Sequence, residues 1–204
     1  MLEHPESRSL AERRNEATRQ AIVEAAWVLS RSHGLTGWSM RQLADAVGVK
    51  APTLYAYFSA KDAIYDVMFQ QSYEDPASSG NAEQFLAIHG VREAFKLAAQ
   101  EFFVFCTEDL SRYQLMFQRT IPGFEPSEQA YAASIRSYER FAAQMAAIGI
   151  TESGHLDLWT AIISGLTSQQ LSNDPGGDRW QSLVGSAVDL FCDYVGLPPE
   201  GEPT

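Results

Sequence analysis

The chain has 204 residues, of which 45% are hydrophobic and 20% charged, so it can bury a sizeable core and is not expected to be disordered. No apolar run approaches the roughly 20 residues of a membrane span. The N-terminus has no apolar stretch typical of a secretion signal, so we expect a cytoplasmic protein with no membrane partner.

The net charge of −11 is unevenly distributed along the chain. Residues 1–61 carry eight Lys/Arg against six Asp/Glu, whereas residues 62–204 carry seven against twenty. Since salt screens charges beyond about 10 Å, a mildly basic head on an acidic body remains able to bind nucleic acid.

Apolar residues recur at helical spacing along the whole chain, which predicts an all-α fold. The first helix is predicted from near Asn15 to Gly34. The second opens at Ser39, which forms a capping box with Gln42, and ends at Gly48.

A short third helix is predicted from Pro52 to near Phe58, and a fourth opens at Ser59, where S-A-K-D matches a second capping box. Residues 74–80 are predicted to form a loop. Further helices are predicted at 82–107, 109–119, 126–148, 152–172 and 178–195.

Two capped helices joined at Gly48, with the small Ala44 four residues earlier, are typical of a helix-turn-helix. At about 100° per residue, the third helix turns an apolar side inward and an opposite face of small residues outward. The inward residues are Ala51, Leu54 and Phe58, and the outward ones are Pro52, Thr53 and Ala56. Such a small-residue face can approach the major groove closely.

This stretch resembles the DNA-binding domain of the tetracycline-repressor-like (TetR) family over residues 17–64, about a quarter of the chain. The residues that carry the resemblance are Ala44, Gly48, Val49, Pro52, Thr53, Leu54, Tyr55, Tyr57, Phe58 and Lys61. The resemblance implies about nine helices per subunit, with an N-terminal three-helix helix-turn-helix domain and a C-terminal helical ligand-binding and dimerisation domain. It also implies a homodimer on a near-palindromic, double-stranded DNA operator and, by default, a repressor that a small molecule releases.

By the same resemblance, Arg41 and Thr53 contact bases. The residues implied to hold the DNA backbone are Ser39, Lys50, Tyr55, Tyr57 and Lys61, with Pro52 on the same face. Ala56 stands where many members of the family carry a larger side chain, so this position is expected to make fewer contacts to bases here.

We divide the chain into an arm (1–14), the helix-turn-helix domain (15–61), the ligand-binding and dimerisation domain (62–195) and a tail (196–204). The arm, with Arg8, Arg13 and Arg14, is either a flexible DNA-binding segment or solvated disorder.

Aromatic and sulfur-containing residues of the second domain predict a cavity for an apolar or aromatic ligand, although any one of them could be ordinary core. The predicted lining is Phe102, Phe105, Tyr113, Met116, Phe117, Phe124, Tyr138, Phe141 and Trp159. Residues able to orient a polar end are Arg92, Gln114, Gln118, Arg119 and Ser134.

The last two helices combine apolar and small residues, which suits a self-complementary four-helix interface between two subunits. The predicted interface is Ile162, Gly165, Leu166, Leu183, Val184, Ala187 and Phe191.

No pattern of catalytic, nucleotide-binding or metal-ligating residues occurs, so we expect no enzyme, no cofactor and no metal site. Cys106 and Cys192 are expected to be reduced core thiols, although a disulfide is geometrically possible. The rival interpretation is a helical small-molecule-binding or enzymatic protein with an accessory DNA-binding-like head.

Overall fold

The computed structural model describes residues 9–80, 85–86 and 89–199, which contain nine α-helices and no β-strand. The helices are α1 (Leu10–His33), α2 (Met40–Val47), α3 (Ala51–Tyr57), α4 (Lys61–Glu74), α5 (Val91–Thr107), α6 (Leu110–Phe117), α7 (Glu128–Ala147), α8 (Ser153–Asn173) and α9 (Val184–Tyr194). Two 3₁₀ turns, Pro76–Ser79 and Gln181–Leu183, precede α5 and α9. The predicted all-α class is confirmed.

Helix α1 begins at Leu10, so the predicted start near Asn15 is wrong. The reason is a capping box that the prediction missed: Ser9 Oγ accepts from the Glu12 N–H at 3.2 Å, and the Ser9 N–H donates to the Glu12 carboxylate at 2.7 Å. Arg13 and Arg14 are therefore helical rather than part of an arm. Arg8 and the rest of residues 1–8 lie outside the described residues.

Helix α2 is capped as predicted. The Gln42 N–H donates to Ser39 Oγ at 3.3 Å, and the Ser39 N–H donates to Gln42 Oε1 at 2.9 Å. Gly48 ends the helix with φ 76° and ψ 28°, a left-handed conformation in which glycine carries no steric cost. The Val49 N–H then reaches back to the Ala44 carbonyl at 2.9 Å.

Helix α4 begins at Lys61, and the predicted capping box at Ser59 is wrong. Ala60 occupies the cap position in an extended conformation, and its methyl side chain cannot accept a hydrogen bond. Ser59 stands one residue too early to cap this helix.

Two further boundaries differ from the prediction. In the segment predicted as one helix at 82–107, the described residues 85–86 are helical, His89 and Gly90 are not, and α5 begins at Val91; residues 81–84 and 87–88 lie outside the described part of the chain. The helix predicted at 178–195 consists of the second 3₁₀ turn followed by α9.

The head packs α1–α3 and the start of α4 around a closed core. Ile22, Leu43, Leu54, Phe58 and Ile64 are each at most 1% exposed. The same cluster continues along α4 into the second domain, so the predicted division after residue 61 stays a prediction.

In the second domain, α5, α7, α8 and α9 enclose a separate apolar cluster that includes Phe95, Phe103, Met145 and Trp159. None of the described helices is both long and apolar enough to cross a lipid bilayer.

Candidate nucleic-acid interface and ligand cavity

The outer face of α3 carries the small residues that were predicted to lie there. Pro52, Thr53 and Ala56 are exposed, and Tyr55 is 50% exposed beside them, while Leu54 is fully buried beneath. This face can therefore meet a partner without rearrangement of the head.

Tyr57 is half-buried and packs against the head core instead of projecting freely. Arg19 of α1 holds this end of α3, because its Nη1 donates to the Tyr57 carbonyl at 2.5 Å and its guanidinium lies 4.2 Å from the centre of the Phe58 ring. Sequence reasoning missed Arg19, since nothing local marks a contact between residues so far apart in the chain.

Lys61 is held within the head. Its Nζ donates to the Trp38 carbonyl at 2.7 Å and lies 3.9 Å from the centre of the Trp38 ring. A longer bond of 3.4 Å reaches the Thr36 carbonyl. Desolvation lowers the pKa of Lys61, against the opposing effect of Asp62. This arrangement, here called the Lys61 clamp, leaves one of the three ammonium hydrogens for a phosphate.

Ser39, Arg41 and Lys50 are exposed at the beginnings of α2 and α3. The hydroxyl of Ser39 donates to Gln42 Oε1 at 2.8 Å and accepts the capping bond, so its established partner is its own helix. Arg41 and Lys50 thus supply positive charge around the exposed α3 face.

The second domain contains a cavity of about 780 Å³. Its wall includes most of the predicted lining, namely Phe102, Met116, Phe117, Phe124, Tyr138, Phe141 and Trp159. It also includes three of the predicted polar residues, Gln118, Arg119 and Ser134.

Four predicted residues do not line this cavity. Phe105 and Tyr113 pack instead in a smaller buried cluster with Cys106 and Met116. Arg92 is buried and ties α5 to the chain after α9, with bonds of 2.7 Å to Asp193 and 2.8 Å to the Pro198 carbonyl. Gln114 is likewise absent from the wall.

Helix α4 contributes Phe69 and Tyr73 to the cavity wall, which sequence reasoning missed. The signal was available: Tyr65, Phe69 and Tyr73 recur every four residues on one face. Helix α4 therefore belongs both to the head core and to the cavity.

A row of three rings joins the cavity to the start of α2. Phe124 of the wall packs edge-on against Tyr65, with ring centres 5.4 Å apart, and Tyr65 packs edge-on against Trp38 at 5.8 Å. The Tyr65 hydroxyl also donates to the Leu35 carbonyl. Trp38 directly precedes the cap residue of α2, so this ring row ends at the helix-turn-helix.

Helix α6 makes a second connection. Arg31 of α1 lies 2.7 Å from the Asp109 carboxylate, and Ser111 Oγ donates to the Ser30 carbonyl at 2.8 Å. At the far end of α6, the Met116 carbonyl accepts from the Tyr73 hydroxyl at 2.9 Å.

The predicted subunit interface needs two corrections. Val184 and Phe191 are at most 2% exposed because they pack into the protomer's own core, so they cannot face a partner. The opposite side of α9 exposes Leu190 and Tyr194, at 72% and 68%. Gly165 is exposed on α8, while the remaining predicted residues are exposed or half-buried: Ile162, Leu166, Leu183 and Ala187.

Both cysteines are free and buried. Burial raises the pKa of Cys106 to about 12 and that of Cys192 to about 11, so both thiols remain protonated at neutral pH.

An exposed helix-turn-helix, joined through α4 to a helical domain with a large cavity, is the arrangement expected of a DNA-binding regulator. Residues 22–68 match the family model described as "Bacterial regulatory proteins, tetR family". The head of this chain is therefore similar to the DNA-binding segment of the TetR family.

Two curated relatives match part of the chain. The HTH-type transcriptional activator FasR of Mycolicibacterium smegmatis is 30% identical over 106 residues, which cover 52% of this chain and 47% of FasR. The HTH-type transcriptional repressor ComR of Escherichia coli is 32% identical over 76 residues, 37% of this chain and 36% of ComR. The matched segments thus span less than half of each relative.

The fold is shared with the transcriptional regulator FadR of Bacillus subtilis, whose crystal structure contains stearoyl-CoA. The TM-score is 0.62 at 16% identity, over 84% of this chain and 96% of FadR.

Proposed function

We propose that this regulator is a homodimeric repressor, whose ligand-free form binds a near-palindromic operator and which a small molecule entering the cavity releases. It acts in the cytoplasm, without enzymatic activity. The observation that carries the proposal is the double role of α4, since Ile64, Tyr65 and Met68 are buried in the head cluster while Phe69 and Tyr73 line the cavity.

A ligand acts through this shared helix and the ring row. Filling the space beside Phe124 and Phe69 displaces groups that pack directly on the head, because close-packed interiors have little room to absorb strain. The two heads of a dimer must lie about 34–36 Å apart to enter successive major grooves. A displacement of a few ångströms therefore weakens both half-site contacts together. A coupling of about 1–3 kcal/mol is usual for such a response.

On DNA, Thr53 and Arg41 contact base edges, while Tyr55 and Lys50 hold phosphates. The exposure of these four residues around one face supports the assignment. Ser39 and Tyr57 contribute to the backbone contact mainly by fixing α2 and α3. Lys61 reaches a phosphate only with the one hydrogen that the Lys61 clamp leaves.

Dimerisation uses the outer faces of α8 and α9, around Gly165, Leu190 and Tyr194. Gly165 is exposed, and a Cβ added to it meets nothing within 4 Å beyond its own helix backbone, so we expect Gly165→Leu to be tolerated by the folded protomer and to obstruct a partner. We expect monomers by analytical ultracentrifugation. Gly154→Leu is the matched control on the same helix, since its Cβ also meets open space. If the Gly165→Leu variant remained a dimer, this assignment of the interface would be wrong.

The decisive experiment selects an operator from random duplex DNA and then measures its affinity by fluorescence anisotropy at several salt concentrations. We expect a palindromic site whose affinity falls steeply with salt, since phosphate contacts release counterions. A salt-insensitive, sequence-independent interaction would instead favour the rival, a small-molecule-binding protein with an accessory head.

The direction of regulation is tested with a reporter gene behind the selected operator. Because one matched relative is named an activator and the other a repressor, this assignment needs its own test. Deleting the regulator should raise expression if it is a repressor. A fall in expression on deletion would overturn the repressor assignment and leave operator binding intact.

A further inference from the structure

We propose that the cavity takes an uncharged, planar aromatic molecule whose hydrogen-bond donor, such as a phenolic hydroxyl, points at Ser78 and Ser137. This inference rests on the proposed function, because it names the class of ligand to which the regulator responds.

Aromatic rings dominate the cavity wall. They come from helices on every side and from the α6–α7 connection: Phe69, Tyr73, Phe95, Phe102, Phe117, Phe124, Tyr131, Tyr138, Phe141 and Trp159. Several pack against each other at an angle, as in Phe95 and Trp159 with ring centres 4.7 Å apart and 59° between planes. Walls that offer both ring faces and ring edges favour a flat aromatic guest over a flexible chain.

The described part of the wall has no net charge. Its charged side chains are Arg119 and Glu125, which are of opposite sign and are both exposed on the α6–α7 connection. Arg140 approaches from outside the wall, where it donates to the Tyr73 carbonyl at 3.0 Å and contacts Ser79 Oγ at 3.4 Å. An anionic group taken deep into this cavity would lose its hydration without gaining a partner.

The buried polar groups of the wall are three serines whose hydrogens already have partners. Ser78 Oγ donates to the Tyr73 carbonyl at 3.0 Å, and Ser79 Oγ donates to the Pro76 carbonyl at 3.2 Å. Ser137 Oγ lies 2.8 Å from Ser78 Oγ. With the single hydrogen of Ser78 on the Tyr73 carbonyl, the hydrogen shared between the two serines is the one that Ser137 supplies.

In this arrangement the serines present lone pairs to a ligand. A hydroxyl has two acceptor sites, and the bonds above leave at least one unfilled on Ser137. A ligand that donates a hydrogen bond complements this spot, whereas an ether or a carboxylate there places acceptor against acceptor.

Binding of four probes at pH 7 tests the proposal: 1-hydroxypyrene, 1-methoxypyrene, pyrene-1-carboxylate and decanoate. Quenching of tryptophan emission reports occupancy, because Trp159 lines the cavity. We expect 1-hydroxypyrene to bind roughly 3- to 10-fold more tightly than 1-methoxypyrene, as one neutral hydrogen bond allows. Pyrene-1-carboxylate and decanoate should bind more weakly than both.

The double variant Ser78→Ala/Ser137→Ala tests whether these serines accept the hydrogen bond of the ligand. Removing both members of a buried pair leaves little unsatisfied, so the fold should survive, and its melting temperature checks this. We expect the preference for hydroxyl over methoxy to vanish while 1-methoxypyrene binds as before. Ser134→Ala is the control on the same helix, because Ser134 also lines the cavity but donates to the Tyr131 carbonyl at 2.7 Å. It should keep the full preference.

Tighter binding of either anion, or equal binding of the hydroxyl and methoxy probes, would overturn the proposal. So would the absence of any probe binding by a protein that still binds its operator, and the regulator function would then stand without this ligand class. If the probes bind as expected and no operator DNA binds, the proposed function fails and the ligand class stands.

Discussion

The head and the second domain differ in how completely their helices fill the space between them. In the head, Leu43, Leu54 and Phe58 are at most 1% exposed and close the core completely. The second domain leaves about 780 Å³ open among its helices. The head therefore depends on every core side chain to fix the orientation of α3. The second domain tolerates change along the cavity wall, where a ligand can supply the missing contacts.

The largest expected effect compares truncations in the two regions. Leu54→Ala removes a fully buried side chain from the closed core and should lower the free energy of unfolding by about 2–5 kcal/mol. Phe117→Ala, at a cavity-lining side chain that is 41% exposed, should cost less than about 1 kcal/mol. Urea unfolding followed by circular dichroism measures both. Equal losses would show that the cavity wall is as tightly packed as the head.

A second comparison uses two glycines. Gly48→Ala places a Cβ on a residue with φ 76° and should destabilise the head by about 1–2 kcal/mol. Gly154→Ala, in α8 and outside the proposed interface, has open space around the new Cβ and should stabilise its helix by at most about 0.5–1 kcal/mol. Urea unfolding measures both changes. If Gly48→Ala left the free energy of unfolding unchanged, the turn between α2 and α3 would be able to relax around the new side chain.

A third test separates charge from hydrogen bonding on DNA. Lys50→Ala should lower the slope of log affinity against log salt by about 1. Tyr55→Phe should weaken binding to every DNA sequence by roughly 0.5–1.5 kcal/mol without changing that slope, because the tyrosine is uncharged. Lys96→Ala is the control in the second domain, where Lys96 lies 3.0 Å from Asp189. A slope altered equally by Lys96→Ala would place the DNA contact outside the head.

The smallest effect concerns alkaline pH. The folded chain keeps Cys106 and Cys192 protonated up to pKa values of about 12 and 11, above the ordinary thiol value of 9.0. Above pH 9 the unfolded chain releases these protons first, so the free energy of unfolding falls as pH rises. Unfolding at pH 8 and pH 10 should show a smaller fall in the Cys106→Ala/Cys192→Ala variant. An identical fall would mean that other groups cause it.

Local rules made the head predictable. The Ser39–Gln42 box, the turn at Gly48 and the exposure of Thr53 follow from neighbouring residues, and the structure has all three. The errors were local as well: the start of α1 came from an overlooked box at Ser9, and the cap of α4 was placed one residue early.

The cavity was only partly predictable. Aromatic content indicated that one exists, but whether Phe105 or Phe117 faces it depends on how α5 and α6 rotate against their neighbours. The same holds for α9, which is apolar on two sides, so sequence could not distinguish buried Phe191 from exposed Leu190.

The Lys61 clamp has a consequence for how operator affinity is lost. It ties the first residue of α4 to Trp38, two residues before α2, while Arg19 ties α1 to the end of α3. With all four helices fastened to one another, the head should pivot as a solid piece, with amide hydrogen exchange in α2 and α3 unchanged by ligand. The DNA-contacting face of each head would then be unchanged in the ligand-bound dimer, and only the separation of the two heads would differ. An operator with altered half-site spacing should therefore recover binding.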